Sequence, residues 1–221
     1  MEFKDSPFID EESIMRRTPE ILMILIVLSL LGASGAWAQS LADLLKDGPI
    51  TQVIYDKNGK FQKVVGIHYI EGTPDQVWEV LTDFEHFIDF LPQLVEFKAT
   101  RKSDVYVETY HEVEVPGFNY KYTLLNKVDK ANYRITVTPI SGSAKGSWSY
   151  KVVPSGKGSL LYYYCFTRLP KVISSFEDEQ QTMTIGVNAA ASVAIVQAFK
   201  KRVEAGIQDV KKGEVKIRKT D

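Results

Sequence analysis

GTPDQVWEVLTDFEHFIDFLPQL, residues 72–94, decides the fold. Thr73 is placed to cap a helix, Pro74 to take its first position and Gln76 to complete a capping box. Val77, Trp78, Val80 and Leu81 give that helix an apolar side. Asp83 and Phe84 break it. A second short helix carries Phe87, Ile88 and Phe90, and Pro92 stops it.

Upstream, ITQVIYDKNGKFQKVVGIHYIEG (residues 50–72) holds two β-rich runs around Asn58-Gly59, a strong hairpin signal. Before it, SLADLLKDG (residues 40–48) predicts a short amphipathic helix ended by Gly48. Downstream, from Val95 to Arg168, the pattern is β throughout. Its strands are separated by Lys102-Ser103, Pro116-Gly117, Asp129-Lys130-Ala131, Ser141-Gly142 and the Ser155–Gly158 turn. Such close spacing implies a meandering antiparallel sheet. After Pro170 the chain reads as one helix to about Lys212. A sheet with one apolar face must bury it. Only the last helix is long enough, so the expected fold is α+β: a curved antiparallel sheet wrapped around a long C-terminal helix, with two short helices after the first strand.

The N-terminus carries an address. MRRTPEILMILIVLSLLGASGAWAQS (residues 15–40) has Arg16 and Arg17, an apolar run from Ile21 to Leu31, and Ala36-Trp37-Ala38 before Gln39. That order is a signal peptide with cleavage after Ala38. An uncleaved membrane anchor is the alternative, although the apolar run is short for a span of roughly 20 residues. The acidic stretch before Met15 suits a signal peptide poorly, so either Met1 or Met15 is the start. The expected layout is an extension and signal peptide over residues 1–38, a short helix and leading strand over 39–60, the main domain over 61–212 and a basic tail over 213–221. The expected location is the periplasm or the outside of the cell.

Bulk properties exclude several classes. The net charge is −1 in 221 residues, which offers no general attraction to nucleic acid. The single cysteine, Cys165, excludes an internal disulfide and a cysteine-based metal cluster. The three histidines, His68, His86 and His111, are scattered without ligand spacing. Neither a metal nor a cofactor is expected.

The chain resembles the START-like (SRPBCC) proteins of the polyketide cyclase and coenzyme Q-binding branch. The residues that carry the likeness are Val77-Trp78, Asp83-Phe84 and Pro92 in the opening helices, Trp148 in GSWSYKVVPSGKGSLLYYYCF, and Leu169-Pro170 before the last helix. The likeness covers roughly residues 61–203. It implies a helix-grip fold with a deep apolar cavity between sheet and C-terminal helix. It also implies a lipid, quinone, sterol or polyketide ligand, with chemistry in a minority of members.

Several residues bear on such a cavity. On the last helix, Ile185, Ala189, Ser192 and Val196 begin a stripe that is small at its N-terminal end. Small residues there either let the helix approach the sheet closely or leave a void. The resemblance favours the void. In DVYVETYHEVEV (residues 104–115) period two sends the valine face inward and takes Thr109 and His111 with it. A buried imidazole needs a partner, either within the protein or on a ligand. Phe118, Tyr120 and Tyr122 share one face, and Trp148 and Tyr150 another. They suit a flat ligand and an ordinary core alike. LLYYYCF (residues 160–166) alternates two apolar faces and leaves its inward side open. Trp78 completes the expected ligand-binding set.

Catalysis needs a positioned acid or base and a group to polarise the substrate. Only His111 and Arg168 qualify for a cyclase or dehydratase, the alternative function. The reading is an exported, non-enzymatic binding or transfer protein for a hydrophobic small molecule. Its expected partners are that ligand and, transiently, a membrane surface; no protein partner is legible.

Overall fold

Thr73 caps the first helix as its sequence demands. Its hydroxyl accepts from the Gln76 N–H, and the Gln76 side chain accepts from the Thr73 N–H. The computed structural model describes residues 44–115, 118–168 and 177–212. Strands β1 (Ile50–Tyr55) and β2 (Phe61–Ile70) form the expected hairpin, with Gly59 at φ 77° in its turn. Helix α1 (Pro74–Thr82) follows, then a 3-10 helix (Phe84–Asp89). Next come β3 (Leu94–Arg101), β4 (Tyr106–Val115), β5 (Phe118–Asp129), β6 (Arg134–Gly142), β7 (Lys145–Ser155) and β8 (Gly158–Arg168). Helix α2 (Glu177–Lys212) ends the described chain. The short helices thus follow the second strand, because the leading strand belongs to the same sheet. The segment expected to be a signal peptide, Pro116-Gly117, Leu169-Pro170 and the basic tail lie outside the described residues.

All eight strands form one antiparallel sheet in the order β1-β2-β8-β7-β6-β5-β4-β3. The meander β3–β8 is closed by the β1–β2 hairpin, which docks on β8 through Val64↔Cys165 to Ile70↔Ser159. The two short helices carry the chain from β2 to the far edge strand β3. Bulges between Leu94 and Glu96 and between Thr123 and Leu124 bend the meander. Strands β6 and β7 pair only from Arg134↔Lys151 to Val137↔Trp148, and beyond that they splay apart.

Helix α2 seats chiefly on β2 and then on β8. Its fully buried Val196, Phe199 and Val203 join a core with Ile70, Val77, Leu81 and Leu161. Phe199 meets Phe87, Phe90 and Tyr150 with ring centroids 5.3–5.6 Å apart, tying helix, 3-10 helix and sheet together at that end. At Gly66 the helix lies close against β2. A Cβ there would lie 3.0 Å from both the Cβ and the backbone oxygen of Ser192. A backbone atom cannot swing aside, so the absence of a side chain at residue 66 lets the helix reach the sheet.

Gly66→Val and Ser192→Leu should each destabilise by about 1–3 kcal/mol through overpacking. Ala190→Leu, on the exposed side of the helix, should stay within about 0.5 kcal/mol. Denaturant titrations check the contrast; equal effects at all three positions would remove Gly66 as the contact point.

Candidate functional site

Because α2 rests on β2 and β8, the concave face of β4–β7 is left partly uncovered. A cavity of about 250 Å³ lies there. Helix α2 roofs it with Val187, Asn188, Ala191, Ala194 and Ile195. The inward sides of β4 and β5 contribute Thr109, His111, Tyr120, Tyr122, Leu124 and Asn126. Trp148, Tyr150, Tyr163 and Cys165 come from β7 and β8. Gln93, Ser143, Ala144 and Arg168 also line it.

Its polar groups form two networks. In the first, the Asn126 amide donates to the Val107 carbonyl at 3.1 Å and to Thr109 Oγ1 at 2.9 Å. Thr109 Oγ1 lies 2.9 Å from His111 Nε2. The imidazole stacks on Tyr122 at 5.0 Å between centroids and meets the edge of Phe97 at 4.8 Å. In the second, fully buried Asn188 ties α2 to the end of β8. Its Oδ1 accepts from the Thr167 N–H at 2.7 Å and from the Cys165 thiol at 2.9 Å. Its Nδ2 donates to the carbonyls of Thr167 and Thr184 at 2.9 and 2.7 Å. Trp148 Nε1 donates to Thr167 Oγ1 at 3.0 Å.

Burial holds the imidazole, phenol and thiol groups of the lining uncharged. It lowers the His111 pKa to about 4. It pushes the Tyr122 phenol up to about 12 and the Cys165 thiol to about 11, and it raises Tyr150 and Tyr163 further. Among the described lining residues Arg168, exposed at the end of β8, carries the one formal charge at neutral pH. No three His, Cys, Asp or Glu side chains cluster as a metal site among the described residues.

Residues 62–212 match the family model described as polyketide cyclase / dehydrase and lipid transport. The chain belongs to this family. It shares the START-like fold with solved structures at low identity. One is a protein of Thermus thermophilus, at 15% identity and TM-score 0.60, covering 66% of this chain and 99% of that one. The Zhui aromatase/cyclase of a Streptomyces species is 20% identical at TM-score 0.57, covering 66% and 95%. A STAR-related lipid transfer protein of Xanthomonas axonopodis is 16% identical at TM-score 0.57, covering 71% and 94%. No curated protein matches. Family and neighbours span both lipid transport and cyclisation.

Five of the residues singled out in the sequence line the cavity: Thr109, His111, Tyr120, Trp148 and Tyr150, and so does Arg168. Five do not. Trp78 is packed in the core beside the sheet, edge-on to Tyr133 at 5.7 Å and beneath Lys130. Ile185, Ala189, Ser192 and Val196 are absent from the wall because their stripe turns toward the sheet. Ser192 sits on Gly66 and Val196 is fully buried in the core. One residue is about 100° of helix rotation, so the neighbouring stripe through Ala191 and Ala194 faces the cavity instead. Both readings of the small residues therefore apply, on different faces: close contact at Ser192, open space at Ala191. Asn126 was missed although it continues the period-two face of Tyr120 and Tyr122 on β5; Asn188 and Tyr163 carry no local signal, since the inward side of β8 and the roofing face of α2 are set by tertiary contacts.

The unfolded chain takes up a proton at His111 near pH 6.5, whereas the native protein does so only near pH 4. Stability from this group is complete above pH 6.5 and is lost as pH falls toward 4, by about 3 kcal/mol. His68, lowered chiefly by burial, adds in the same direction. Urea titrations should show His111→Gln losing much less stability than the wild type between these pH values. An unchanged slope would mean His111 is already charged in the native protein.

Proposed function

We propose that this protein binds and carries an uncharged hydrophobic small molecule and performs no reaction on it. The observation that carries this is the cavity wall, apolar with a few hydrogen-bonding groups, its buried titratable side chains held neutral and its one charge, Arg168, exposed at the end of β8. Such a wall suits a ligand that leaves water because of its apolar surface. The family description includes lipid transport, and one structural neighbour is a lipid transfer protein. The competing reading is a cyclase or dehydratase using His111 and Arg168, both of which line the cavity. Proton transfer at neutral pH works best with a group whose pKa lies near 7. An imidazole at about 4 is a weak base and is not an acid there.

We also place the protein outside the cytoplasm, on the strength of Arg16-Arg17, the Ile21–Leu31 run and Ala36-Trp37-Ala38. A carrier that shields an apolar molecule is useful where that molecule must cross water, and it would meet a membrane transiently to load and unload.

Ala191→Leu and Ala194→Leu should fill the cavity and weaken uptake of an apolar fluorescent reporter at least about tenfold, with melting temperature kept or raised. Unchanged uptake by both folded variants would end the cavity-binding reading. A cyclisation or dehydration activity abolished by His111→Gln would instead favour the enzyme. Native mass spectrometry of protein from its own host, followed by organic extraction, identifies the cargo.

N-terminal sequencing of the same material should begin at Gln39. A chain that retains Ile21–Leu31 and pellets with membranes would make the segment an anchor.

A further inference from the structure

The Asn126–Thr109–His111 network has a direction. The Val107 carbonyl can only accept, so the group 3.1 Å from it is the Asn126 NH2. That NH2 also reaches Thr109 Oγ1 at 2.9 Å, and Thr109 therefore accepts from Asn126. Thr109 is 1% exposed, and its own hydroxyl proton needs an acceptor. His111 Nε2, 2.9 Å away, supplies it. An Nε2 that accepts carries no hydrogen, so the neutral ring bears its proton on Nδ1. His111 stands on the inward face of β4 among the cavity-lining residues.

We propose that the Asn126–Thr109 relay holds His111 as the Nδ1–H tautomer, and that this N–H is the cavity's donor to a carbonyl or similar uncharged oxygen of the bound molecule. The inference rests on the binding reading above and adds the ligand's chemistry to it. Burial keeps the ring neutral, which leaves no full positive charge beside the acceptor. A carboxylate beside this neutral ring would lose hydration without gaining a charged partner from it. The preferred cargo is therefore apolar, flat enough for the Tyr122, Trp148 and Tyr150 walls, and oxygenated at one point. Thr109 and Asn126 are positioning residues in this scheme, and His111 is the group that meets the ligand.

Two measurements test it. In the ligand-free protein, nitrogen-15 NMR of the imidazole should show a protonated Nδ1 and a bare Nε2. Thr109→Val should mix the tautomers, and Thr109→Ser should restore the single one. An Nε2–H ring in the wild type overturns the proposal without reference to any ligand. For recognition, fluorene and 9-fluorenone share a shape and differ by one carbonyl. The ketone should displace the reporter about two- to tenfold more tightly, as expected for one neutral hydrogen bond. His111→Phe should abolish that preference. Equal affinities in the wild type, or a preference that survives in His111→Phe, overturn the donor role and leave the cavity reading standing. Failure of both probes to compete also overturns it. Whether the reporter itself still enters then shows if the cavity reading falls too.

Discussion

The geometry of the cavity depends on one contact, the seat of Ser192 on Gly66. Any side chain at residue 66 would meet the backbone of the helix within 3.0 Å. With hydrogen there, α2 settles on β2 and β8, close to one edge of an eight-stranded sheet. The sheet is wider than a helix and curves around it. The strands furthest from the seat are reached only by long side chains, and where α2 presents Ala191 and Ala194 nothing reaches them. The chamber is thus a consequence of off-centre seating, with the aromatic cluster around Phe199 closing one end.

That origin explains what was legible in the chain. Element order, the capping box and period-two alternation are local properties, and they located every strand and the inward face of β4. Thr109, His111 and Tyr120 followed from that alternation. LLYYYCF defeated it because both faces are apolar. Leu161, Tyr163 and Cys165 turn inward, while Tyr162 and Tyr164 stack outside with centroids 6.3 Å apart. The helix was misread by one position for a related reason. Two adjacent stripes are both small and apolar, and the choice between them is made by Gly66, far away in sequence. Trp78 was read as part of the site, yet its ring packs against Tyr133, which in turn bonds the Asp75 carboxylate at 2.9 Å.

Asn188 shows how a polar residue can be structural and still shape a site. Its amide matches the N–H and C=O of Thr167 as a neighbouring strand would, while its other contacts stay within α2 and with Cys165. All of these groups are satisfied inside the fold, so this wall offers a ligand contact area more than polarity. The directional polar chemistry is concentrated across the chamber, at Asn126, Thr109 and His111.

The splaying of β6 from β7 beyond Val137 and Trp148 has a kinetic meaning. Along 138–147 each strand keeps its outer neighbour, β5 or β8, but the two no longer bond each other. Backbone groups that face this gap have no partner on the opposite strand of this pair. Ser143 and Ala144, at the tip of the hairpin, already border the chamber. A guest that entered beside them would break no hydrogen bond between β6 and β7. Exchange by such a route would be governed by side-chain and loop motion, on the nanosecond-to-microsecond scale, and would leave the sheet intact.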